Sequence, residues 1–114
     1  MFILNKYNEY ELEINDIRFV CETVEVGLEE TASEVAKIYE GKLDDIVNFM
    51  LENGLLDVFG KLTSAEVIES LGKPTIDMNR CLISYLEQTF DDTHIIDVEY
   101  GGLLDELFYF NIDG

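Results

Sequence analysis

At 114 residues the chain has room for one domain with one hydrophobic core and too little for two. Its 47% hydrophobic and 11% aromatic content excludes a disordered polyelectrolyte, because disorder requires low hydrophobicity as well as charge. The 25 Asp and Glu against 7 Lys and Arg leave a formal net charge of -18, which repels nucleic acid and anionic membranes and attracts basic partners.

In chain order, Tyr10, Leu12 and Ile14 alternate with Glu9, Glu11 and Glu13, the period-2 pattern of a strand with one wet face. Asn15-Asp16 is a turn-forming pair, and the β-branched and aromatic run Ile17 to Val26 completes a predicted hairpin. From Glu29 the period lengthens. Val35, Ile38, Tyr39, Leu43, Ile46, Val47, Met50 and Leu51 recur at helical spacing, with Gly41 as a point where the helix breaks or bends. Asn53-Gly54 supplies a stop, and LLDVF adds a short apolar segment. TSAE at 63 to 66 is a capping-box pattern that opens a short helix to Leu71, ended by Gly72 and Pro74.

Period 2 returns in the last third. Cys81 to Phe90, His94 to Tyr100 and Leu103 to Ile112 are three predicted strands, separated by Asp91-Asp92-Thr93 and by Gly101-Gly102. The Gly-Gly pair predicts a two-residue hairpin turn. On the middle strand His94, Ile96, Val98 and Tyr100 share one face and Ile95, Asp97 and Glu99 the other. On the last strand Leu104, Phe108, Phe110 and Ile112 are expected to form an apolar face, interrupted by Glu106, opposite Leu103, Asp105, Leu107, Tyr109 and Asn111. The order of elements predicts an α+β domain spanning 1–114. It consists of an N-terminal hairpin and a C-terminal three-stranded meander in a mainly antiparallel sheet, with two or three helices on one face and acids on the other.

Chemistry leaves few traces. Any nucleophile-His arrangement must use His94, the single histidine. DDTH at 91 to 94 reads as a hairpin turn followed by a surface histidine rather than as a general base or half a metal site. Asp44-Asp45 reads as the wet face of a helix. The glycines form neither G-x-G-x-x-G nor a P-loop, and Cys21 and Cys81, far apart, lack zinc or redox spacing and read as reduced, small apolar residues. The expectation is no enzyme, no cofactor and no metal. The start of the chain lacks a basic n-region and an h-region, and no apolar run approaches the roughly 20 residues of a membrane span. A soluble cytoplasmic protein is expected.

Residues 81 to 114 hold Glu87, Asp91, Asp92, Asp97, Glu99, Asp105, Glu106 and Asp113 and no Lys or Arg. One reading is a solvated face that keeps edge strands from pairing; the other is a docking face. Interleaved Tyr85, Tyr100, Tyr109 and Phe108 fit the second, since charge speeds encounter and aromatics anchor it. Glu87, Asp91, Asp92, Asp97, Glu99, Tyr100, Asp105 and Glu106 are the candidate partner-binding residues, and Glu9, Glu11 and Glu13 are a competing surface.

With its meander LISYLEQTFDDTHIIDVEYGGLLDELFYFNIDG, its acidity and its lack of a catalytic constellation, the chain resembles the immunity proteins of bacterial polymorphic-toxin and contact-dependent growth inhibition systems. The resemblance implies a stoichiometric inhibitor that binds a cognate toxin domain, often a basic nuclease, and blocks its active site or substrate groove. A DNA-mimic inhibitor of a nucleic-acid-binding protein, of phage or defence origin, would show the same charge; an enzyme using DDTH and a structural or adaptor domain are the further alternatives.

Overall fold

In the computed structural model, which describes residues 1–114, strands β1 (Ile3–Leu4), β2 (Tyr10–Ile14) and β3 (Ile17–Cys21) precede helices α1 (Leu28–Glu52), α2 (Leu55–Phe59) and α3 (Ser64–Leu71). Strands β4 (Thr75–Asp77), β5 (Leu82–Tyr85), β6 (Ile95–Gly101) and β7 (Glu106–Asp113) follow. The strands form one sheet in sequence order, β1 to β7. Every pairing is antiparallel except that of β3 with β4, where the three helices make the crossover that a parallel pair requires. The fold is therefore α+β, as the order of elements predicts. No helix is long and apolar enough to cross a membrane.

Local chemistry accounts for several boundaries. Asn15 and Asp16 take φ of 51° and 61°, the positive values that a two-residue type I′ turn demands. β3 ends at Cys21, short of the expected Val26, because the Asn79 side chain accepts the next two amides, from Glu22 and Thr23. Thr63 and Glu66 form the complete capping box at the start of α3. Gly41 neither breaks nor bends α1 into two elements: it lies on the exposed side of one continuous helix, where an isolated glycine costs only about 1 kcal/mol. Two elements escape the sequence patterns. β1 pairs Ile3 with Glu11, and β4, three residues directly after Pro74, joins the hairpin to the meander.

The C-terminal meander also differs in detail. The β6–β7 connection is not the two-residue turn expected at Gly101-Gly102. Gly101 pairs with Glu106, and a four-residue loop turns through Gly102 and Leu104 at φ of 60° and 63°. Register then shifts beside Glu99 and Tyr100, so that Leu107 opposes Tyr100, Tyr109 opposes Glu99 and Phe108 has no partner. This bulge reverses the expected faces of the strand's first half. Leu107 joins the core side with Phe110 and Ile112, and Phe108 is left 61% exposed.

The helices cover one face. Register aligns Leu12, Phe19, Ile76, Ile83, Val98 and Phe110 in a row from β2 to β7. Ala32, Val35, Ala36, Tyr39, Ile46, Val47 and Met50 of α1 are buried and belong to the same core cluster. Inside it the Tyr39 and Tyr85 hydroxyls are 2.6 Å apart, a pairing that satisfies two buried polar groups at once. Burial pushes the Tyr39 phenol up to about 12 and raises Tyr85 well above its usual value of 10.0. Because the folded state holds these protons more tightly, the stability is intact below the ordinary tyrosine value and is lost as pH rises through the folded one. Thermal melts should show a fall between about pH 10 and 12 that is reduced in the Tyr39→Phe/Tyr85→Phe variant; equal falls would remove this pair as the cause.

Candidate functional site: the open face of the sheet

The face away from the helices is built by alternation, and its rows follow from register. One runs Ile3, Glu11, Val20, Asp77, Leu82, Glu99, Tyr109 and the next Glu13, Arg18, Thr75, Ser84, Asp97, Asn111. Asp97 and Glu99, two residues apart on β6, stand on the same side about 7 Å from each other. Asp97 accepts a hydrogen bond from Ser84 Oγ at 2.6 Å. On either side of Asp97 lie Ser84 and Asn111, and on either side of Glu99 lie Leu82 and Tyr109. The acids are thus not opposed by other acids on neighbouring strands, which spares the sheet the like-charge penalty of direct cross-strand pairs. Arg80, Leu82, Asp97, Glu99, Tyr109 and Asn111 line a shallow depression of about 470 Å³ here. Tyr109 is 52% exposed, and the bulge sets Phe108 beside it as a second exposed ring.

The two acidic surfaces differ in how far the fold already neutralises them. At the N-terminal end Glu11 lies 3.8 Å from Arg18, Glu13 is paired with Lys73, and Asn5 donates to Glu9 and Glu11. Asp77, midway along the face, accepts the amides of Asn79 and Arg80. Neither Asp97 nor Glu99 has a cation within ion-pairing distance; Arg80, on the rim of the same depression, pairs with no carboxylate. On the open face Asp97 and Glu99 of β6, with Glu106 and Asp113 at the two ends of β7, are carboxylates without a cation partner in the chain.

The other candidate residues are dispersed. Tyr100 is 5% exposed and belongs to the core cluster under the helices, because alternation on β6 turns it away from Asp97 and Glu99; a partner on the open face does not reach it. Asp105 sits in the β6–β7 loop, where Lys42 of α1 approaches to 3.7 Å, so part of its counter-charge is within the chain. Glu106 is exposed at the start of β7, opposite Gly101. Glu87, Asp91 and Asp92 lie at the far end of the strand, about 20 Å from Glu106 along β6. There the backbone at Glu87 passes so close to Gly72 that a Cβ on that glycine would meet the Glu87 carbonyl oxygen at 2.6 Å.

Asp91 is a loop clamp. Its Oδ1 accepts from the amides of Thr93 and His94 and from Gln88 Nε2, at 3.0 to 3.2 Å, and its Oδ2 lies 2.5 Å from His94 Nδ1. The His94 ring in turn meets Phe59 edge-on, and Phe59 stacks on Phe90, which ties the loop to α2. DDTH is not the hairpin turn expected between strands 81–90 and 94–100: β5 ends at Tyr85 and β6 begins at Ile95, so Asp91 and Asp92 lie in a nine-residue loop, 86–94, in which His94 is half-buried and engaged. The donated His94 amide, followed by the histidine ring, Gln88 and the Thr93 amide, holds the Asp91 carboxyl well below the usual carboxylate range. A depressed folded value stabilises the protein above the ordinary 3.8, and that stability is lost as pH falls below it. Asp91→Asn is expected to lower the melting temperature at neutral pH and to flatten its decline from about pH 5 to 2; an unchanged acid limb would assign the decline to other carboxylates.

Cys21 is buried in the core and Cys81 is half-buried, both free; burial, then Asp77 and Glu9, raise the Cys21 thiol. No three His, Cys, Asp or Glu side chains gather as a potential metal site. No family model matches the chain, and no significant match is found to any curated protein or solved structure.

Proposed function

We propose that the protein is a non-catalytic acidic binding protein of the immunity type, which neutralises a cognate bacterial toxin domain, a basic nuclease domain, by one-to-one docking on the open face at β5 to β7. The observation that carries this reading is the unneutralised charge at Asp97 and Glu99 beside the exposed rings of Phe108 and Tyr109, whereas Glu11 and Glu13 at the N-terminal end have cations within the chain. Unpaired carboxylates steer a basic partner and the rings give it an apolar anchor. Cytoplasmic location belongs to the same proposal, since a nuclease must be intercepted where nucleic acid is.

DNA mimicry is the weaker alternative. A phosphate-like array needs acids in continuous rows, whereas Asp97 and Glu99 are flanked by serine, asparagine, leucine and tyrosine. Affinity capture from the source strain at low salt, identified by mass spectrometry, tests both. The toxin reading expects a basic protein that elutes at high salt and whose activity is abolished by one equivalent of this chain; recovery of no basic or nucleic-acid-binding protein at low salt would sink both readings.

A further inference from the structure

Strand β7 is the long free edge of the sheet. It pairs only with β6, and its eight residues contain none of the lysines or prolines that commonly blunt an edge. The N–H of Tyr100 donates to Cys81 O beside β5; by alternation Asp97 and Glu99 direct their backbone groups to β7. Their partners Asn111 and Tyr109 therefore point back at β6, and the N–H and C=O of Phe110 and Ile112 point out of the sheet. Beyond the bulge at Phe108 this tract is regular and open to an added strand.

Charge selects the occupant. A second copy added antiparallel at this edge would bring two chains of net charge -18 each side by side, and like charges repel most strongly at low salt. A basic strand meets the reverse situation. Its side chains on the open face would lie beside Tyr109 and Asn111, with Glu99 and Asp97 one strand further in and Glu106 and Asp113 at the ends.

We infer that the β7 edge is a β-augmentation site for an extended, lysine- or arginine-rich segment of the partner protein, whose backbone pairs with Phe110 and Ile112 while its basic side chains reach the β6 carboxylates. This rests on the proposed reading of the open face as the docking face and specifies how the partner is held. The test uses the intact protein at low salt with two capped octapeptides of equal charge, one alternating Lys and Val, the other alternating Lys and Pro, which cannot supply a ladder of amides. In the free protein the amides of Phe110 and Ile112 should exchange rapidly and those of Tyr109 and Asn111 slowly. The Lys-Val peptide should bind about tenfold more tightly than the Lys-Pro peptide and slow exchange at Phe110 and Ile112. Equal binding of the two peptides, or protection confined to other strands, overturns the edge site and leaves the charge reading standing. Binding of neither peptide overturns both.

Discussion

Replacing Asp97 and Glu99 together by lysine should slow association with the basic partner by tenfold or more at low salt, roughly the effect of reversing a local steering field, while leaving the fold intact. Both side chains project from the open face, and their cross-strand neighbours are Ser84, Asn111, Leu82 and Tyr109, so no buried charge is left without its partner. The one bond lost is Ser84 Oγ to Asp97, about 1 kcal/mol. Stopped-flow association, with circular dichroism of the free variant, separates the two effects. An unchanged on-rate in a folded variant would move the docking site elsewhere.

Phe19→Ala should cost about 3 to 5 kcal/mol, the largest stability loss expected from a single substitution. Phe19 is 0% exposed and sits between Leu12 and Ile76, at the parallel junction where β3 meets β4. Truncation there opens a cavity at the point that joins the N-terminal hairpin to the rest of the sheet, and small domains hold only about 5 to 15 kcal/mol in all. Urea unfolding at neutral pH measures it. A loss below about 1 kcal/mol would mean that the two halves are stabilised separately rather than through this row.

Signals confined to a few neighbouring residues were readable in the sequence: the Asn15-Asp16 turn, the Thr63-Glu66 box, the apolar stripe of α1, the two faces of β6. Each depends on contacts made within one turn or one strand. What the sequence withheld depends on partners far along the chain. β4 is too short to show a period, and its identity as a strand comes from parallel pairing with β3, some 57 residues away at Arg18 and Thr75. The faces of β7 were misread at Phe108 because one unpaired residue reverses alternation for everything before it. The candidate site was legible at Asp97 and Glu99, whose strand is regular. It was misjudged at Tyr100, which alternation already placed on the core side, and at Asp105 the sequence hid the cation Lys42 that α1 brings near. At the competing surface of Glu9, Glu11 and Glu13, the counter-charges of Glu11 and Glu13 come from Arg18, across the hairpin, and Lys73, after α3.

The central claim is that unneutralised carboxylates on β6 draw a basic partner to the open face, and the ionic-strength dependence of the association rate tests it most directly. For the wild-type protein and the partner captured with it, the rate should fall steeply as salt rises from about 20 to 200 mM, and for Asp97→Lys/Glu99→Lys the slope should be markedly shallower. Parallel slopes for the two proteins would contradict the claim.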